Sequence, residues 1–175
     1  MLVNSIKIGI VVGAFAVTTL TVTEPEIPQK QEIRIPESID QGSPPCIQLY
    51  HYIKEYADSF DIPIRYAFGV AYAETRYSGP FHWRYNPAQT SSAGAVGPMQ
   101  VMVSTARYIN RDRVSKDYLR TNMKYNVYTS MKLLRRLYNL RGNWKVVFGE
   151  YNTGRPCING YAERVYNHQI DWEIN

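Results

Sequence analysis

Glu74 closes an apolar run, Val70-Ala71-Tyr72-Ala73, and no other acid stands between Asp61 and Asp112. A carboxylate on an apolar helix face loses water, which favours its neutral form and raises its pKa. An acid that keeps its proton near neutral pH is equipped for general acid catalysis. The same position also suits a helix-end glutamate paired with Arg65 or Arg76, and structural ion pairs of that kind are common. Further on, residues 94–102 read GAVGPMQVM, with one amide set in an apolar stretch after a glycine-bracketed turn. Burying an amide without partners costs ~1–3 kcal/mol. Gln100 therefore belongs either to a turn that precedes a helix or to a cleft wall where the amide meets a ligand.

Other chemistry is sparse. His51, His82 and His168 are scattered, and Cys46 and Cys157 fit no zinc spacing, so neither a metal nor a cofactor is expected. The two cysteines flank the C-terminal three-quarters of the chain. They are expected to bridge if that part is exported, and are otherwise unrelated thiols. Residues 1–40 hold three Lys/Arg against five Asp/Glu, while the remainder holds 17 against 10 and is therefore basic. A basic domain favours an anionic polymer, either nucleic acid or the bacterial wall. No nucleic-acid motif, internal repeat or phosphate-cradling glycine loop appears, and nucleic acid is not the expected partner. The 15 tyrosines suit a wet carbohydrate groove, and equally suit the faces of amphipathic helices.

The elements that must position Glu74 follow from periodicity. Leu49, Tyr52, Ile53, Tyr56 and Phe60 recur at helical steps behind a cap at Ser43. Residues 64–76 form a second, mostly buried helix. Residues 77–98, rich in Gly, Pro, Ser and Asn, predict an irregular or small-β middle. Helices are expected over 102–110, 118–140, 144–152 and 161–170, with Met123, Val127, Met131, Leu134 and Tyr138 along one stripe of the longest. The fold class is mainly α, with a substrate cleft. Ahead of it, residues 1–23 read as a signal peptide or membrane anchor, with the apolar segment at 6–22 offering membrane attachment. Residues 24–43 read as a Pro-rich linker, and residues 44–175 as the folded domain.

Four separated blocks then occur in order: AETRYS, NPAQTSSAGAVGPMQVMVSTA, EYNTG and YAERV. Together they resemble the lytic transglycosylases of the lysozyme-like superfamily, and they cover most of residues 64–166. The resemblance implies an α+β lysozyme-like domain with Glu74 as the single catalytic acid. Ser91, Gln100, Met102, Tyr151 and Asn152 fall on its glycan-binding positions, with Tyr151 orienting Glu74 or the substrate. Thr75 stands where that family usually has serine. Glu150 stands where it usually has alanine, which puts a second carboxylate beside Tyr151. Residues 79–85, GPFHWRY, look like an insertion. Phe81, Trp83 and Tyr85 alternate, so in an extended loop their rings share one side. Trp83 and Tyr85 then stack on sugar, with His82 or Arg84 facing wall carboxylates, or else the insertion is a small hydrophobic cap.

The resemblance further implies cleavage of the MurNAc–GlcNAc β-1,4 bond of peptidoglycan with closure of a 1,6-anhydro ring. It implies a monomer acting on glycan strands, either periplasmic or membrane-anchored and facing the wall, or carried by a phage. Ordinary glycosidases need two carboxylates. One alternative is therefore a lysozyme-type hydrolase in which Glu150 or Asp61 helps to activate water. Another is a wall-binding module without catalysis, in which Glu74 is structural. A third, carried by charge alone, is a membrane-tethered nucleic-acid binder.

Overall fold

The computed structural model describes residues 42–172. The expected anchor or signal peptide and nearly all of the expected linker lie outside the described residues. Seven helices occur among those described: α1 (Pro45–Ser59), α2 (Ile64–Thr75), α3 (Val103–Asn110), α4 (Lys116–Thr121), α5 (Met123–Arg141), α6 (Trp144–Thr153) and α7 (Gly160–Tyr166). The domain is mainly α. None of these helices is long and apolar enough to cross a membrane.

α2 is the central element. Tyr66 to Ala71 are buried without a break, and the helix packs against α1 and α7. α5 is the second hub, packing against α1, α3, α4 and α6. Its stripe of Val127, Met131 and Leu134 is fully buried, as the periodicity predicts. The helix expected over 118–140 is instead two helices. Asn122 interrupts it, and its side chain accepts from the Tyr125 N–H to cap α5. A capping bond of this kind is worth about 1 kcal/mol and competes with helix continuation. The expected cap at Ser43 also moves. Pro44 takes the cap position with no side-chain bond, and the Ser43 carbonyl accepts from Gln48.

Most of the aromatic wealth is spent on packing. Tyr66 sits within about 5–6 Å of Trp144, Phe148 and Tyr166, which joins α2, α6 and α7. Tyr50, Tyr77, Tyr85 and Tyr161 are buried as well. Between α2 and α3 the chain is irregular, with isolated bridges from Thr90 to Val96 and from Val96 to Val101. This middle segment returns to the end of α2, which brings residues 96–100 near Glu74.

The two cysteines are free thiols. Cys46 is buried under Tyr77, whose hydroxyl donates to the Cys46 carbonyl at 2.6 Å, and burial pushes its thiol pKa up. Cys157 lies against Gly149 of α6, so close that a Cβ on Gly149 would meet its carbonyl oxygen at 1.9 Å. Each cysteine is held by its own neighbours, and the expected bridge is absent.

Candidate active site

Glu74 occupies the last turn of α2, just before Arg76 ends the helix in a left-handed conformation. The carboxyl is largely shielded, and its Oε1 accepts a hydrogen bond from the Tyr161 hydroxyl at 2.7 Å. Among the described residues no ion pair reaches it. Both candidate partners are engaged elsewhere. Arg65 stacks over Tyr66 at 4.3 Å and donates to the Tyr66 hydroxyl, while Arg76 lies over Tyr72 at 5.5 Å. Burial therefore dominates and pushes the Glu74 pKa up to about 7, against a smaller lowering by the Tyr161 hydrogen bond. The Tyr161 hydroxyl is itself raised well above its ordinary pKa, chiefly by burial and then by the Glu74 charge, so it stays a donor.

Tyr161 is the residue that sequence reasoning missed. It opens the YA of the YAERV block at the start of α7, and α7 packs directly on α2. The expectation had Tyr151 orienting Glu74. Instead the Tyr151 hydroxyl donates to the Met99 carbonyl at 2.7 Å and sits 2.9 Å from Ser130 Oγ. Burial, and after it the Glu74 charge, raises the Tyr151 pKa. Its bonds, however, serve the turn at residues 97–100.

That turn is built from several sides. Thr75 Oγ1, on the residue next to Glu74, lies 2.9 Å from the Pro98 carbonyl and 2.8 Å from the Tyr85 hydroxyl. Gly97 has φ +80°, and a Cβ there would meet Asn126 Nδ2 at 2.3 Å. A side chain there would collide with Asn126, so the position requires glycine. Gln100 is left-handed at φ 47°. Its amide nitrogen donates back to the Gly97 carbonyl at 2.8 Å and weakly to that of Gln89 at 3.4 Å. The amide is thus not wholly free for a ligand. Its nitrogen stabilises the turn, and the oxygen remains.

The other expected residues, Ser91, Met102 and Asn152, sit on three different segments. Ser91 Oγ accepts from the Ala95 N–H at 3.1 Å and braces the open side of the turn. Met102 is exposed ahead of α3. Asn152 is exposed on α6, and its amide oxygen accepts from Asn159 at 3.2 Å. The insertion does not put its three rings on one side. Hydrogen bonds from the His82, Trp83 and Tyr85 N–H groups to Gly79, Phe81 and His82 fold it into turns. Tyr85 therefore points inward, only 5% exposed and bonded to Thr75, and cannot stack on sugar. Trp83 points outward, 54% exposed, with Phe81 at 6.3 Å.

The other two acids considered are paired. Glu150 takes two bonds from Arg141, at 2.7 and 2.9 Å, and its pKa is lowered. Asp61 pairs with Arg135 at 2.8 Å. A groove lined by Ile109, Lys132, Arg136, Asn139 and Leu140, on α3 and α5, contains none of the residues discussed above and no carboxylate.

The fold has counterparts. The family described as Transglycosylase SLT domain matches residues 51–174. The crystal structure of the 70 kDa soluble lytic transglycosylase of Escherichia coli has a similar fold, with a TM-score of 0.52 and 24% identity. The likeness covers 66% of this chain and 18% of that one. No curated protein sequence matches the chain.

Proposed function

The chain belongs to the transglycosylase SLT domain family, and from that premise we propose that it cleaves the MurNAc–GlcNAc β-1,4 bond of peptidoglycan without consuming water. The observation that carries this is the Glu74 carboxyl, largely shielded with no described cation and with its pKa pushed up to about 7, so that it can both give and take a proton at neutral pH. Glu74 donates its proton to the bridging oxygen as the glycosidic bond breaks, and the GlcNAc side leaves as an alcohol. The MurNAc N-acetyl oxygen supports the positive charge at C1. The Glu74 carboxylate then removes the proton of the MurNAc C6 hydroxyl, whose oxygen bonds C1 and closes the 1,6-anhydro ring. The proton balance is zero and Glu74 ends as it began.

Tyr161 holds the carboxyl in position and stabilises its charged form between the two steps. Gln100 Oε1, Ser91, Met102 and Asn152 contribute to the wall along the glycan, and exposed Trp83 offers a ring face to a sugar. His82 or Arg84 would face wall carboxylates. The active form is taken to be a monomer, on the wall side of a membrane to which residues 6–22 either attach it or direct its export.

The hydrolytic reading needs a second carboxylate to activate water. Glu150 and Asp61, its candidates, are both committed to arginines, which favours the water-free route. Digestion of purified peptidoglycan in 18O-water distinguishes the two. Products ending in 1,6-anhydroMurNAc, lighter by one water and free of label, are expected. Labelled reducing MurNAc ends would transfer the assignment to a hydrolase. An absence of cleavage with retained wall binding would transfer it to a binding module.

A further inference from the structure

The turn ahead of Gln100 is held by side chains of α5. Asn126 and Ser130 stand one helical turn apart, and both are fully buried. Asn126 Oδ1 accepts from the Met99 N–H at 3.0 Å, while its Nδ2 donates to the carbonyls of Val96 at 2.9 Å and Leu119 at 3.1 Å. The Met99 carbonyl accepts a hydrogen bond from the Tyr151 hydroxyl. A phenol has one proton to give, so Ser130 must donate to Tyr151 at their 2.9 Å contact. Both ends of Met99 are thereby fixed by side chains, one rooted in α5 and one in α6 but braced by α5.

Local preference does not explain these residues. Asparagine and serine are weak formers in a helix interior, and a buried amide is costly unless satisfied. Their bonds are tertiary, and they end on the residue before Gln100, which sits in a left-handed conformation that side chains rarely adopt unaided. We infer that Asn126 and Ser130 are positioning residues of the glycan cleft, setting the Met99 peptide and through it the presentation of Gln100. This rests on the glycan-cleaving reading above. Neither residue touches the Glu74 carboxyl, so they govern how sugar is held and not the acid itself.

The test uses the full chain carrying Glu74→Gln, which removes turnover, and N-acetylglucosamine tetramer as probe. Asn126→Ala is expected to weaken binding about ten-fold, since misplacement of a binding wall by a fraction of an ångström is costly. Ser130→Ala, which leaves every backbone group its partner, is expected to weaken it less. In the otherwise wild-type chain both should raise KM more than they lower kcat, and the pH at which activity falls should stay where Glu74 sets it. A purely structural role would lower Tm and leave KM unchanged at temperatures where the variant is folded. If Asn126→Ala does not fold, Ser130→Ala decides. Unaltered tetramer affinity in the folded variants overturns the positioning role alone. A Glu74→Gln chain that still cleaves peptidoglycan overturns the functional reading instead.

Discussion

Glu74 and Glu150 are both glutamates near the C-terminal end of a helix, and their surroundings drive them in opposite directions. At the end of α6, Arg141 grips Glu150 with two charge-assisted bonds and lowers its pKa. At the end of α2, the nearby arginines face aromatic rings, and Glu74 receives one neutral hydroxyl while its pKa rises to about 7. Residue type is the same; burial drives Glu74 up, and the Arg141 guanidinium drives Glu150 down. A paired carboxylate contributes to structure, and a shielded unpaired one is available for proton transfer.

The sharpest way to break this contrast is Glu74→Gln, which keeps the shape and removes the proton. Activity on purified peptidoglycan should fall by about 10³-fold or more, since the residue serves both proton transfers. The same change should stabilise the fold in a pH-dependent way. A raised folded-state pKa means that the native state binds more protons than the unfolded one as pH climbs from 4.5 to 7. Stability is therefore lost across that window, and glutamine escapes the loss. The gain should be absent near pH 4 and on the order of 3 kcal/mol by pH 8, read from denaturant melts at both values.

Tyr161→Phe comes next. It removes the one bond that favours the charged carboxylate, so the pKa of Glu74 rises further. Activity at pH 7 should drop by about ten-fold, and the alkaline limb of the pH–rate profile should move to higher pH. A drop without that movement would mean that Tyr161 only packs.

Trp83→Ala probes the exposed ring. Glycan binding should weaken by up to about ten-fold at unchanged Tm, because a half-exposed indole contributes little to the core. A lower Tm with binding intact would return the insertion to a packing role. The smallest effect belongs to the other side of the contrast. Glu150→Gln should leave cleavage within about two-fold and lower Tm modestly, more so in low salt, since a pair with one partly exposed partner contributes modestly and salt screens it. A large loss of activity would revive a second-carboxylate mechanism.

These outcomes also separate what local sequence can carry from what it cannot. The apolar run ahead of Glu74 made its burial legible, and the stripe through Val127, Met131 and Leu134 made α5 legible, because both are periodic patterns along one helix. The break at Asn122 was not, since a capping asparagine and a helix-interior asparagine look alike until the Tyr125 N–H is seen to use it. The choice between Tyr151 and Tyr161 depended on how α6 and α7 dock on α2. Both tyrosines lie in the motif blocks, and nothing along the chain says which hydroxyl reaches the acid. Alternation misplaced Tyr85 because it assumes extended backbone, whereas turns between Gly79 and Tyr85 leave Phe81 and Trp83 outside and send Tyr85 inward. Nor does the chain show that Gly97 packs against Asn126, which lies on a different element.

If a shielded setting without a cation keeps Glu74 protonated into the neutral range, its side-chain carboxyl carbon, titrated by 13C NMR against the Glu74→Gln spectrum for assignment, reports this directly. A midpoint of about 7 is expected in the wild-type chain. A midpoint at the ordinary carboxylate value of about 4.3 would contradict it.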